Sequence, residues 1–412
     1  MTSRVNGLYV WIQIHGIPVI AGRFDLSDKI GTFYYANSYI NNPNAFALDP
    51  INLPLIPEQE FVTQANGGVF GAFLDAGPDQ WGQRVLSILS LSKPRSALEY
   101  LLAGNGEGCG AIMFSLSRSA IKEPKLRHSP GTLTAIEIGV NAIINDETIS
   151  PQIKEVLEHS SAFGGARPKA TIEQPDGRYL AKFNKKSDLI NNARAEQATM
   201  EMAKAVGIDT IEINVVHNPN TGRDVLLTKL FDYDQEGHKK HYLSAHSILN
   251  LHKIRENDPD AGYPGLATIM RKFIHDPIGS TKQLYKRMVF RTLIGDTDDH
   301  ARNHGFLRDN KSGLYSLSPM FDSLPHPTNI GQQAMTIGRY GRASSLANLI
   351  SLSDAFGIDK ANAAKIIKEQ KNALKQWRSF YVNAGMTQLE ISIIEPCLSL
   401  ISEKSANLDY ES

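Results

Sequence analysis

Asp296-Thr297-Asp298-Asp299-His300-Ala301-Arg302-Asn303-His304 follows directly on an apolar helical run that holds Met288, Phe290, Leu293 and Ile294. Packing does not account for so many acid–base and metal-binding groups at the end of a buried helix, because unpaired charge near a core is costly. The stretch therefore reads as a chemical site. Phosphoryl transfer needs a carboxylate that orients the acceptor hydroxyl and takes its proton, and oxygen ligands that hold Mg²⁺ on the phosphates. Asp298 and Asn303 suit those tasks, and they stand five positions apart, as the catalytic Asp and metal-binding Asn of protein kinases do. Asp322, in Met320-Phe321-Asp322-Ser323, follows the apolar run Leu314 to Leu317, where a kinase-like fold carries its second metal carboxylate. Taken singly, these residues have plainer readings: Asp296 or Asp299 as a helix cap or surface charge, and Asp322 as a turn residue.

Upstream, Ser160-Ser161-Ala162-Phe163-Gly164-Gly165-Ala166-Arg167-Pro168-Lys169 forms a glycine-containing turn between a helix and a strand. Small residues let backbone N–H groups approach phosphate oxygens, and Arg167 or Lys169 can add charge. The stretch lacks Gly-x-x-x-x-Gly-Lys-Ser/Thr, so it is not a Walker A loop, and alone it is equally a tight turn. On the next strand Lys182, in Tyr179-Leu180-Ala181-Lys182-Phe183, suits the α- and β-phosphates, and Glu196 on the following helix suits its orientation. The plainer readings are an exposed strand-end lysine and a helix-surface glutamate. After the strand Val225 to Phe231, the residues Lys229 to Phe231 offer backbone groups to an adenine. Glycine loop, strand lysine, helix glutamate, hinge, Asp-x4-Asn and metal Asp follow the chain order of a bilobal ATP- and Mg²⁺-dependent kinase. That order, more than any one piece, carries the reading.

The rest of the chain frames this centre. Alternation of apolar and polar residues from Leu8 to Tyr35 predicts an antiparallel meander, followed by helices at Gln80 to Leu91 and Ala97 to Leu102. Gly104-Asn105-Gly106-Glu107-Gly108-Cys109-Gly110 lacks a βαβ context and reads as a turn, not a dinucleotide fingerprint. The Lys/Arg/Pro/Ser-rich stretch 118–131 is a linker. Ala170 to Ile172, Tyr179 to Phe183, Ile211 to Val216 and Val225 to Phe231 predict the strands of one sheet, with a helix from Asn192 to Val206 between them. From Tyr263 onward the pattern is almost wholly helical, with segments at 280–295, 360–380 and 386–403. The expected division is 1–130 (a β-rich subdomain with helices), 131–235 (a nucleotide-binding sheet) and 236–412 (a helical lobe with the catalytic loop).

Among 412 residues, 43 Lys plus Arg balance 43 Asp plus Glu, so no global positive field gathers a polyanion. The basic series Lys282, Lys286, Arg287, Arg291 reads as a solvated helix face. Cys109 and Cys397 have no disulfide-framework or metal-ligand spacing, no basic-then-apolar leader opens the chain, and no apolar run reaches the roughly 20 residues that span a bilayer. The expectation is a cytoplasmic protein without membrane association.

These motifs resemble the HipA family, the serine/threonine kinase toxins of bacterial type II toxin–antitoxin modules. The matching residues are Gly164-Gly165-Ala166-Arg167-Pro168-Lys169, Thr297-Asp298-Asp299-His300-Ala301-Arg302-Asn303 and Phe321-Asp322. Leu74-Asp75-Ala76-Gly77-Pro78-Asp79-Gln80-Trp81-Gly82 is similar to the family's N-terminal subdomain. The resemblance implies an α+β, bilobal protein-kinase-like (HipA-like) fold, whose N-terminal lobe joins a small β subdomain to an α/β sheet and whose C-terminal lobe is all-helical. It implies Asp298 as base, Asn303 and Asp322 as Mg²⁺ ligands, Lys182 as phosphate contact, 164–169 as the ATP loop with Phe163 beside it, and His300 next to the nucleotide. It also implies a HipB-like antitoxin as partner, DNA met only through that antitoxin, and a protein substrate such as an aminoacyl-tRNA synthetase. Two departures stand out. The family's autophosphorylated serine corresponds to Ala162, with Ser160 and Ser161 adjacent, and Lys229-Leu230 replaces the usual Glu-Arg hinge, leaving adenine recognition to the backbone.

Two rival readings use the same residues. A metal-dependent phosphohydrolase would take Asp296, Asp298, Asp299, His300 and His304 as ligands, with His300 and His304 on one face if the helix continues. A non-catalytic ATP-binding component of a repressor complex would leave the catalytic set idle.

Overall fold

The computed structural model describes residues 5–89, 93–104, 108–121, 133–158, 167–251, 258–328 and 330–403. The chain clusters into two compact units, one built of Met1–Lys185, His217–His252 and Phe306–Gly313, the other of Lys186–Val216, Lys253–Gly305 and Leu314–Ser412.

The alternating N-terminal stretch forms the expected meander: β1 (Gly7–Ile14), β2 (Ile17–Ser27) and β3 (Ile30–Tyr35). His15-Gly16 and Asp28-Lys29 join them as two-residue loops with positive φ at both positions, the turn whose twist matches paired strands. With β4 (Glu60–Thr63) and β5 (Ile112–Ser115), the sheet runs β4-β3-β2-β1-β5. Its inner face buries Leu8, Val10, Ile12, Phe24 and Phe33. Phe73, on the helix Gly71–Asp75, meets Phe24 and Phe33 edge-on at 5.1 and 5.4 Å between ring centroids.

The stretch Leu74 to Gly82 is a polar fastening of the first unit. Asp75 accepts hydrogen bonds from Ser244 N, Ser244 Oγ and Ser247 Oγ, each at 2.7 Å. Asp79 accepts from Gly82 N at 2.6 Å and lies 3.3 Å from Lys169 Nζ, while Trp81 Nε1 donates to Lys169 O at 3.0 Å. Lys169 opens β6 (Lys169–Gln174), which pairs antiparallel with β7 (Gly177–Phe183) so that Lys169 faces Lys182. Across β7, Lys182 faces Leu226 of the strand Arg223–Lys229. The expected strands of this sheet are therefore present with different bounds: the first two are longer, whereas Ile213–Asn218 starts two residues later than expected and Arg223–Lys229 ends two residues before Phe231.

The second unit is mainly helical: Asn192–Ala205, Tyr263–Met270, Pro277–Leu293, Leu346–Ser351, Lys360–Ala373, Trp377–Asn383 and Gln388–Ile394. Side-chain caps start several of these, including Asp276 before Pro277 and the Thr387/Glu390 capping box. The pattern after Tyr263 is less uniformly helical than expected. Short strands form at Gly305–Arg308 and Tyr315–Leu317, and irregular backbone follows over 318–328 and 330–345. Pro319, Pro325, Pro327, Gly331, Gly338 and Gly341 there remove helix donors or favour non-helical backbone. With most strands in the first unit and a second unit that is mainly helical, the architecture is α+β. Among the described residues no helix is long and apolar enough to cross a membrane.

Asp75→Ala should destabilise the protein by about 3 kcal/mol, because it leaves three donors without their charged acceptor. Urea unfolding of the two proteins measures this difference.

Candidate functional site

The helix Pro277–Leu293 carries Arg291 into the interior of the second unit, where its side chain is 0% exposed. Such a charge is tolerated only with close partners. Arg291 Nη1 lies 2.7 Å from Asp296 Oδ2 and 3.1 Å from Asp299 Oδ1. The same guanidinium donates to the carbonyls of Asp322 at 3.1 Å and Phe321 at 2.6 Å. One side chain thus binds the turn that follows its own helix and the turn that contains Asp322.

Further partners complete both buried carboxylates. Asp296 accepts from Ser323 Oγ at 2.7 Å, and its other oxygen lies 3.4 Å from His326 Nδ1. Asp299 accepts from His304 Nε2 at 2.9 Å and from the Tyr263 hydroxyl. Burial by itself would raise the Asp299 carboxyl, but Arg291, His304 and Tyr263 outweigh it and hold the group down at about 2. Burial lowers His304 despite the neighbouring Asp299, which favours the neutral ring with Nε2 carrying the donated proton.

Asp298 is the exception among the three aspartates. It is exposed, and among the described residues its carboxylate makes no hydrogen bond or ion pair. Its backbone carbonyl accepts from His300 N at 2.8 Å and, at a long 3.4 Å, from Asn303 Nδ2. The same Asn303 amide reaches Asp322 O at 3.4 Å, so the side chain links the two turns. Asn303 is buried, and its Oδ1 accepts no hydrogen bond among the described residues. Asp322 has φ 54°, a left-handed backbone that Asp tolerates better than most residues, and Arg291 fastens the carbonyls on both sides of that turn. His300 Nδ1 is buried without a hydrogen-bond partner.

The second unit brings together Asp298, His300, Asn303 and Asp322, and it also holds Glu196, buried on the helix Asn192–Ala205. Arg167, Pro168, Lys169, Lys182, Lys229 and Phe231 belong to the first unit. Ser160, Ser161, Phe163, Gly164, Gly165 and Ala166 lie outside the described residues, as does Ala162. Lys169 is a buried strand residue engaged with Asp79, so its ammonium is already paired. Lys229 Nζ lies 3.8 Å from Asp176, and the Phe231 ring lies 6.0 Å from that of Tyr242.

Two expectations are corrected. The helix that would align His300 with His304 does not continue, because Gly295 takes φ 68° after Ile294 and Ala301–Asn303 is a single tight turn. Asp296, Asp299 and His304 are also committed to Arg291 and to one another. The series Lys282 to Arg291 is not a uniformly solvated face: Arg287 and Arg291 are 2% and 0% exposed. Their positions share a helical face with the apolar Leu284 and Met288, the signal that could have identified them as buried. Tyr263, Ser323 and His326 carried no comparable signal.

With the geometry in view, comparison with known proteins assigns the family. Residues 161–377 match the family model described as the HipA-like C-terminal domain. The match covers more than half of the chain, and the chain belongs to that family. A Haemophilus influenzae protein named "Putative kinase" is 23% identical over 168 residues, 38% of this chain and 49% of that protein. The alignment therefore spans about half the length of that curated relative. HipA of Shewanella oneidensis MR-1, solved with HipB and its operator DNA, aligns over 96% of both chains with a TM-score of 0.67 and 17% identity. At that identity the likeness establishes the fold, which is HipA-like as the motif order implied.

The low Asp299 value fixes an acid sensitivity. Its folded value lies below the ordinary 3.8, so its contribution to stability is present above pH 3.8 and is lost as pH falls towards about 2. Denaturant titrations between pH 2 and 5 should show this loss in the wild type and a flatter profile in Asp299→Asn.

Proposed function

We propose that this chain is an ATP-dependent serine/threonine protein kinase and the toxin of a toxin–antitoxin pair. The observation that carries the reading is the sorting of three neighbouring aspartates. Asp296 and Asp299 are neutralised by buried Arg291, while Asp298 is exposed and uncommitted beside an uncommitted Asn303 oxygen. A structural cluster has no need of that asymmetry; a proton acceptor next to a metal ligand does.

In this reading Asp298 orients the acceptor hydroxyl and takes its proton as the new P–O bond forms. Asn303 Oδ1 and the Asp322 carboxylate are oxygen donors of the type Mg²⁺ selects, and both sit on turns that Arg291 and the Asn303 amide hold together. Mg²⁺ bound there would offset charge on the phosphate oxygens. We assign Lys182 to the α- and β-phosphates, Glu196 to orienting it, residues 163–169 to covering the phosphates, the backbone of Lys229 to Phe231 to adenine, and His300 to the nucleotide's flank. Nucleotide binding then falls largely within 131–235 and the transfer residues within 236–412. Ser160 and Ser161 are the candidate autophosphorylation sites.

Family membership and the HipA fold support a HipB-like antitoxin as partner, with DNA reached only through it. The acceptor is a cytoplasmic protein, for which the family resemblance suggests an aminoacyl-tRNA synthetase.

Purified protein with γ-labelled ATP and Mg²⁺ should label Ser or Thr of proteins in a dephosphorylated cell extract. Asp298→Asn should lower that rate about 10²–10⁴-fold, the usual worth of general base catalysis, with little change in Tm because the carboxylate has no hydrogen bond or ion pair among the described residues. Wild-type protein inert towards ATP and Mg²⁺ would overturn the proposal.

A further inference from the structure

Beyond Asp322 the chain builds a second ordered feature that the transfer chemistry does not use. Gln333 N donates to Arg342 O at 2.8 Å, Ile337 N to Gly341 O at 3.0 Å, and Gly341 N to Gly338 O at 3.1 Å. These bonds close a small hairpin whose turn is Gly338-Arg339-Tyr340-Gly341. Interior side chains hold its tip. The fully buried Asn348 accepts from Tyr340 N at 2.9 Å and donates to Gly341 O at 3.0 Å and Ala343 O at 2.8 Å, while Ser351 Oγ accepts from Arg339 N at 2.8 Å. A Cβ on Gly338 would come within 2.2 Å of Asn348 O, and Gly341 has φ +65°, so the shape requires both glycines.

This fixed turn displays its two central side chains. Arg339 is exposed and Tyr340 is 63% exposed, whereas Met335, Thr336 and Ile337 beneath them are buried. Among the described residues the Arg339 guanidinium and the Tyr340 hydroxyl make no hydrogen bond or ion pair. Between Asp322 and Asp354 the sequence has no Asp, Glu or Lys, and its arginines are Arg339 and Arg342. The segment thus carries no acidic residue to pair with Arg339.

The segment is also tied to the candidate site. His326 N donates to Gly295 O at 3.0 Å, Thr297 Oγ1 to Thr328 O at 3.0 Å, and Tyr263 N to Thr336 O at 2.9 Å. The Tyr263 hydroxyl in turn reaches Asp299. One tyrosine and three residues of chain therefore separate Arg339 from the Asp299 turn, at most roughly 25 Å with the chain fully extended at ~3.5 Å per residue. A short peptide covers that span.

We infer that the turn Gly338–Gly341 is a docking element for an acidic segment of the acceptor protein, with Arg339 supplying charge and Tyr340 an amphipathic contact surface. The inference rests on the phosphoryl-transfer reading and adds the acceptor's charge class to it.

The test compares acceptor sites labelled in a dephosphorylated cell extract by the wild type, Arg339→Glu and Arg339→Lys, read by quantitative phosphoproteomics with ATP and Mg²⁺. Wild-type sites should be rich in neighbouring Asp and Glu. Arg339→Glu should label them about tenfold more slowly, losing a rim attraction and gaining a repulsion, and Arg339→Lys should retain them. Arg339→Gln serves if the Glu variant does not fold, with a loss of a few-fold expected. Equal labelling by wild type and the Glu or Gln variant, or sites without acidic neighbours, overturns the docking inference alone. A wild type that labels nothing removes the transfer reading and this inference with it.

Discussion

The buried guanidinium of Arg291 is the interaction on which the candidate site depends. Removing such a charge from water is expensive, and the cost is offset here by two carboxylates and two carbonyls drawn from separate turns. Because Arg291 takes Asp296 and Asp299 as its counter-ions, those side chains point inward. Asp298, between them in the turn that begins at Gly295, is left facing outward. The same guanidinium fixes the left-handed turn at Asp322, so the outward carboxylate, the Asn303 amide and the second carboxylate share one framework.

The first unit applies the same rule with different residues. Asp75 gathers three serine donors, and Asp79 pairs with the buried Lys169 at the start of β6. The stretch from Leu74 to Gly82 is polar because it fastens the small helix beside the first sheet to strands distant in sequence. Its aspartates are used structurally, whereas the Asp298 carboxylate has no hydrogen bond or ion pair among the described residues.

Much of this could be read before the structure. Alternation from Leu8 to Tyr35 is a period-2 signal, and the meander followed from it. The five-residue interval between Asp298 and Asn303, with Asp322 downstream, singled out the candidate site because transfer chemistry constrains residue type and order together. The division of labour among Asp296, Asp298 and Asp299 was not legible, since it depends on which carboxylates face one arginine across a turn. Arg287 and Arg291 were misread because charge outweighed their helical phase with Leu284 and Met288. Lys169 looked available beside a glycine loop because its partner Asp79 lies 90 positions earlier. The breaks after Gly295 and Ser318 were signalled by glycine and proline, but such signals locate the end of a helix and do not reveal what replaces it.

The most direct measurement is a crystal structure of the protein grown with a non-hydrolysable ATP analogue and Mn²⁺, with the metal located by its anomalous scattering. A peak is expected within bonding distance of Asn303 Oδ1 and the Asp322 carboxylate, with Asp298 unligated and Arg291 still holding Asp296 and Asp299. A peak on Asp296, Asp299 and His304, with none at Asn303, would contradict it.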